Sequence, residues 1–444
     1  MKTGFSKICI NPPYGAPITG YYERRAVKGI LDDLFVRTII LDDGAAQAAI
    51  VALDLCYLPQ EFFDAMKRII SEATGIHEKA VFINCSHTHT GPLVGKDFAS
   101  EQESSDAYNS YLLNCVRDSA LYAQQDLKES VFETAQGEAK GISFVRRYRM
   151  KDGSVATNPG VKNPNIDHAL GQPDETLNLI KILRDGGKDI YLVHFGTHPD
   201  SVGGEYISAD YMGFVCKTVE QAIGNIDCMF LLGFQGDVNH VNVAPTPGEE
   251  AISVIDFDSV PRSIRHAEHM GRVIAGAVLS ICSVTEPCEV GKIRFGTTTV
   301  ELPSHQENHR LDEANHIMAL YEAGRANELP YKEMELTTVV AEATRIVNLQ
   351  NGPESFTFGL SAISIGDIVF AGVGGEPFTE IGCRIRAASP FKKTILCALT
   401  NSATGYIPTT SAYAEGGYEA RSSSLKPGGD DIIVEGMNQL LKTL

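Results

Sequence analysis

The chain has 444 residues, 43% hydrophobic and 21% charged, which is enough apolar material to bury a large core and excludes disordered and fibrous classes. Its formal charge of -18 repels nucleic acid and anionic membrane surfaces, and no cluster of lysines and arginines reverses that locally. A small neutral or cationic molecule is the expected partner, with no nucleic acid and no stable membrane association.

The opening Met1-Lys2-Thr3-Gly4-Phe5-Ser6-Lys7 leads into an apolar segment too short for a signal-peptide core or a membrane helix, so a cytoplasmic location is expected. Ten cysteines are scattered without a CxxC pair and read as reduced core thiols. No Ser/Gly-rich or Pro-rich linker divides the chain and no repeat is visible, so residues 1–444 read as one domain.

Residues 34–41 (LFVRTIIL) read as a strand closed by an Asp43-Gly44 turn and paired with the strand 48–53. Residues 61–73 have helical periodicity with Gly75 as a stop, and the apolar run 80–83 is a buried strand. Strand, strand, helix, strand begins a mixed α/β fold: a large mixed β-sheet with covering helices. A second helical pattern covers 106–127. Residues 141–159, carrying Arg146, Arg147 and Arg149, read as a polar looping stretch on a solvated surface, or else as a source of a guanidinium that binds an anion or polarises a carbonyl. Residues 312–349 are helical in pattern, broken near Pro330, and read as a covering layer.

The strand at 80–83 runs into Asn84-Cys85-Ser86-His87-Thr88-His89-Thr90-Gly91-Pro92. Side chains alternate along a strand, so His87 and His89 are expected on one side, converging on a metal ion or a substrate; the plain alternative is a hydrogen-bonded surface pair. Later runs behave alike: 190–193 leads to His194, His198 and Asp200, and 229–232 leads to Gly233-Phe234-Gln235-Gly236-Asp237-Val238-Asn239-His240. Residues 368–371 lead to Gly374-Gly375-Glu376-Pro377, and 394–399 lead to Asn401 and Tyr406. Open α/β sheets place ligand sites beyond strand ends. His87, His198, Asp237, Glu376 and Tyr406 therefore form a candidate constellation, and its two imidazoles, carboxylate and phenol suit zinc with a position left for water.

Taken together, these blocks resemble the catalytic domain of the neutral ceramidases, zinc amidases that cleave the N-acyl bond of ceramide. His87-Thr88-His89-Thr90-Gly91-Pro92 is similar to that family's His-Thr-His-Ser-Gly-Pro motif, and His198-Pro199 with Ser201, Ser208 and Asp210 to its second histidine block. Gly375-Glu376 with Phe378-Thr379 and Arg384-Ile385-Arg386, then Tyr406-Ile407 with Thr409 and Gly417-Tyr418-Glu419-Ala420, resemble its last two blocks. The resemblance implies a ceramidase-like catalytic fold with zinc held by His87, His198, Glu376 and Tyr406, and with His89, Arg146 and Tyr418 lining the reaction centre. Arg147 is the neighbour that competes with Arg146 for that role.

The departures carry weight. The family's Gly-Asp-Val-Ser-Pro-Asn segment aligns with Gly236-Asp237-Val238-Asn239-His240-Val241-Asn242, so Asn239 stands where that family has a serine and no serine nucleophile is expected there. The chain ends at Leu444, soon after the last block, so the family's C-terminal β-sandwich is expected to be missing. The expectation is a zinc hydrolase of a soluble polar substrate, cleaving an N-acyl C–N bond, with Asp237, Asn239 and His240 binding substrate. The alternatives are a metal-dependent carbohydrate hydrolase or lyase, and a non-catalytic binding protein.

Overall fold

A computed structural model of the chain describes residues 1–97, 102–256 and 258–444. The first unit opens with an antiparallel meander of β1 (Lys2–Cys9), β2 (Phe35–Asp42) and β3 (Gln47–Leu53). Helix α1 (Gln60–Thr74) then crosses to β4 (Val81–Cys85), parallel to β3, and α2 (Asp106–Gln125) packs back on β1 and β2. Parallel neighbours need such a crossover because no tight turn can join them. α1 serves by burying Phe63, Met66 and Ile70 along one stripe, and Gly75 at φ 78° ends it in the left-handed conformation a β-carbon disfavours.

The same unit recurs twice. β5 (Lys128–Glu138), β6 (Thr176–Arg184), β7 (Asp189–Phe195), α3 (Asp210–Ile223) and β8 (Ile226–Leu232) repeat the pattern, followed by α4 (Ile264–Ile281). β9 (Ile293–Pro303) is separated by α5 (Leu311–Glu322) and α6 (Glu333–Leu349) from β10 (Ser355–Ile365). β11 (Ile368–Val373), α7 (Thr379–Ala388) and β12 (Lys393–Cys397) complete the third unit, followed by α8 (Gly429–Lys442). The reading of the sequence as free of repeats is thereby corrected. The copies share strand order and pairing but not residues, so sequence self-similarity does not reveal them.

The first two units join through β1 and β5 into one sheet ordered β8-β7-β6-β5-β1-β2-β3-β4, with a short strand Glu286–Cys288 also on β5, making nine strands. The third forms its own sheet, β9-β10-β11-β12. One face of that sheet, with Ile363, Ile365, Ile368 and Phe370, packs into the core of the large sheet, where Phe82 and Phe370 meet edge to face at 6.4 Å. Its other face packs Leu360, Val369 and Leu396 against Ile381 of α7 and Met437 of α8. α5 and α6 bury Ala314, Ile317, Val340 and Ala343 against each other, the covering layer expected for that region.

Residues 141–159 depart from expectation. They contain strands Phe144–Val145, Arg147–Met150 and Val155–Thr157, and Arg146 and Arg147 are buried rather than solvated. No described helix is long and apolar enough to cross a membrane. All ten cysteines are free thiols.

Candidate metal centre and cavity

The fourth strands of the three units meet at their C-terminal ends, and Asn84 ties them together. Its Nδ2 donates to Ala398 O (2.6 Å) and Thr400 Oγ1 (3.2 Å), while its Oδ1 accepts from Leu232 N (2.9 Å). Around this junction the turns after the third strands place Cys56, His198 and Glu376 three residues beyond the strand ends Leu53, Phe195 and Val373. The turn after β4 adds His87 and His89. His87 does not continue the strand: its φ of 64° is left-handed, a costly conformation for a side chain of this kind. The two histidines converge, but through a held turn instead of strand alternation.

His87 Nε2 lies 3.2 Å from Glu376 Oε2 and 3.4 Å from His89 Nε2, and His198 Nε2 lies 3.1 Å from His89 Nε2. All four residues are buried. His87 Nδ1 faces Cys56 O at 2.9 Å, which sets Nδ1 as the protonated nitrogen and turns the Nε2 lone pair inward. Burial, helped by His87 beside His89 and by Arg146 beside His198, holds both of those imidazoles well below the usual histidine range. Burial would do the same to His87, but the Glu376 carboxylate and Cys56 outweigh it and raise its pKa. Without a cation, Nε2 therefore holds a proton toward Glu376, and it presents its lone pair only when a cation takes that proton's place. Among the described residues the Nδ1 atoms of His89 and His198 have no hydrogen-bond partner, and Glu376 Oε2 has only its 3.2 Å approach to His87 Nε2 within hydrogen-bonding distance. Buried polar groups are rarely left so. Imidazole nitrogens facing one another beside a buried carboxylate oxygen fit a cation, and His87, His198 and Glu376 offer donor atoms all within 4.8 Å of one another.

Tyr406 stands next to this group, its ring 6.4 Å from that of His198. Arg146 hydrogen-bonds the Tyr406 hydroxyl, lies over the Tyr406 ring at 5.1 Å, and donates to Gly236 O at 2.8 Å. Its Nε pairs with Glu419 at 2.6 Å. The two arginines point in different directions. Arg147 turns away and donates to Ala412 O, Gly416 O and Glu415, its guanidinium over the Phe378 ring. Arg146 sits behind Tyr406 rather than on the cavity wall. Glu419, fully buried between the two arginines and accepting from Thr157 Oγ1, is the residue that sequence reasoning leaves without a role. Its neighbour Tyr418 is the reason it can be found: both lie on one short helix, Tyr418–Ser422.

A cavity of about 480 Å³ opens on this centre, lined at one end by His87, His89, Glu376, Tyr406, Tyr418 and Tyr22, and roofed by Ala341, Thr344 and Asn348 of α6. Tyr22 and Tyr418 are hydrogen-bonded to each other, and burial raises both phenols well above their ordinary range, so both keep their protons. A second cavity of about 960 Å³ shares Tyr418 with the first and is lined by Asp152, Asn158, Asn163 and Asn165.

Asp237, Asn239 and His240, expected to touch substrate, line neither cavity. Their polar atoms are taken by the protein. Asp237 accepts from Thr379 N (2.7 Å) and Thr379 Oγ1 (3.0 Å) at the first turn of α7. Asn239 Nδ2 donates to Asn158 Oδ1, and its Oδ1 accepts from Val241 N. His240 faces Asp200 at 3.1 Å and Pro261 O at 2.7 Å. These residues brace the wall, and Gly236 beside them admits no side chain: a β-carbon there would stand 2.2 Å from Glu376 O. His194, read as a strand-end residue, is within β7 and bonds Asn178 and Leu396 O.

No protein-family model matches the chain, and no curated protein matches its sequence. Solved structures do match. A crystal structure of neutral ceramidase from Pseudomonas aeruginosa is similar over 100% of this chain and 75% of that one, with a TM-score of 0.73 at 16% identity. A structure of ceramidase complexed with C2 is similar over the same shares, with a TM-score of 0.72 at 16% identity. The fold is that of neutral ceramidase. The ceramidase-like architecture expected from the scattered motifs is thus the one observed.

Proposed function

We propose that the protein is a zinc-dependent hydrolase of a soluble polar substrate and cleaves an N-acyl C–N bond. The observation that carries this reading is the set of buried, mutually facing imidazole nitrogens beside the Glu376 carboxylate, at one end of a cavity. His87, His198, Glu376 and Tyr406 hold the metal. A zinc ion bound there supplies Lewis acidity and lowers the pKa of water to about 7, so no serine is required where Asn239 stands.

His89 is the proton carrier. Its depressed pKa keeps it neutral and able to accept a proton from the attacking water, which it then delivers to the leaving nitrogen. Tyr418, protonated and oriented by Tyr22, donates to the oxygen on which charge develops. Arg146 holds Tyr406 in place and offsets the charge of Glu419, so it is a positioning residue. Asp237, Asn239 and His240 keep the loop after β8 pressed against Glu376. Two cavities meeting at Tyr418 suit a substrate with two arms, and the asparagine-lined one suits a hydroxylated arm such as an amino sugar. That polar cavity also favours a second reading, a carbohydrate hydrolase or lyase on the same metal. The charge of -18 supports a small-molecule substrate, and we place the protein in the cytoplasm.

Elemental analysis of wild-type and His87→Ala protein tests the centre, followed by a screen of N-acyl p-nitroanilides and N-acyl amino sugars. Near-stoichiometric zinc lost in the variant, with amide turnover by the wild type, is the expected result. No metal after zinc reconstitution overturns the reading. Turnover in labelled water separates the two reactions, since an eliminating enzyme leaves the label out of its product.

A further inference from the structure

Cys56 occupies in the first unit the place that His198 and Glu376 occupy in the second and third, three residues past the end of the third strand. It is 1% exposed at the main cavity, and its Sγ stands 3.5 Å from His87 Nδ1. With His87 and His89 it forms a second group whose donor atoms all lie within 4.8 Å of one another. His89, only 7% exposed, contributes an independent sign of an unused donor, because its Nδ1 has no hydrogen-bond partner among the described residues. A sulfur and a nitrogen on one tetrahedral zinc-sized cation stand about 3.5 Å apart given metal–sulfur and metal–nitrogen bonds of about 2.3 and 2.0–2.1 Å.

We propose that Cys56, His87 and His89 form an alternative metal site that captures thiophilic divalent cations of the cadmium class and thereby switches the catalytic centre off. The inference rests on the metal-centre reading of His87 but not on the reaction assigned to it. The two donor sets exclude each other through one imidazole. In the catalytic set His87 keeps its proton on Nδ1, donated to Cys56 O, and presents Nε2. In the alternative set Nδ1 is the ligand atom, so that hydrogen bond breaks and the proton moves to Nε2, which can no longer bind the catalytic metal. Cys56 releases its thiol proton to solvent as sulfur bonds the cation. Thiolate selects soft cations over hard ones, whereas the carboxylate and phenol of the catalytic set do not. His89, once a ligand, can no longer carry protons.

Zinc-loaded protein titrated with cadmium chloride tests this, with bound zinc and cadmium read by elemental analysis and sulfur ligation by the thiolate-to-cadmium charge-transfer band in the ultraviolet. One cadmium is expected to replace the zinc with appearance of the band. In Cys56→Ser the band is expected to be absent and displacement to need about tenfold or more cadmium. His198→Ala removes a donor of the catalytic set only, so it is expected to keep cadmium and the band. Cadmium replacing zinc without the band, or a band that survives in Cys56→Ser, overturns the inference while leaving the hydrolase reading intact. Failure to bind either metal overturns both. If Cys56→Ser is recovered unfolded, Cys56→Ala carries the same comparison.

Discussion

The turns that follow the third strands and the segments that join first strands to second strands hold equivalent places in all three units, yet they differ in every other respect. The turns are short, and each sets one donor, Cys56, His198 or Glu376, at the same distance from its strand. The joining segments, residues 10–34, 139–175 and 304–354, have nothing in common in length or content: the first brings Tyr22, the second Arg146 and the polar cavity, the third the α5–α6 roof. The difference separates two jobs. Positions nearest a strand end inherit the rigidity of the sheet and can hold atoms to the precision a metal needs, while long connections are free to shape the space around them.

Breaking the comparison on the side of the turns has the largest effect. Glu376→Ala or His198→Ala is expected to weaken metal binding well beyond the ~10–100-fold typical of outer-shell residues, and to abolish amide hydrolysis; equilibrium dialysis against zinc checks it. On the side of the joining segments, Arg146→Ala leaves Glu419 buried without that partner and is expected to cost about 3–5 kcal/mol in urea denaturation. Adding Glu419→Gln should recover part of that loss, and a double variant no more stable than the single one would show that the charge pair is not the cause. Tyr418→Phe should lower kcat by about 100- to 1000-fold with zinc content unchanged, the signature of a lost donor to the developing oxyanion.

The smallest effect sharpens the role of the loop after β8. Burial pushes Asp237 from an ordinary value of 3.8 up to about 6. A carboxyl raised in the folded state stabilises it at low pH, and that stability is lost as pH climbs through about 6, by up to about 3 kcal/mol. Denaturation curves between pH 4 and 7, with chelator present so that metal plays no part, should fall accordingly for the wild type. For Asp237→Asn, which still bridges Thr379, they should lose this slope, and parallel curves would refute the assignment.

Strand-end loops holding His87, His198, Glu376 and Tyr406 were legible because apolar runs and the glycines or prolines after them are local signals. What stayed hidden depends on partners distant in sequence. Arg146 and Arg147 have the composition of a surface and become interior only because Glu419 lies between them. Asp237, Asn239 and His240 look like ligand-binding groups until Thr379, Asn158 and Asp200 are seen to occupy them. Cys56 reads as one more core thiol, since only the repeated topology equates it with a histidine and a glutamate. The threefold repetition was invisible for the same reason: pairing order recurs, and the side chains that fill it do not.

The bonds of Asn84 to Leu232, Ala398 and Thr400 also bear on the order of events in folding. Each joins segments far apart along the chain, and closing such loops is slow. The donors proposed for zinc come from all three units, so no partial assembly is expected to bind it tightly. Metal uptake should therefore trail the docking of the third unit and add nothing to the rate of refolding, while still slowing the reverse reaction by holding the finished junction shut.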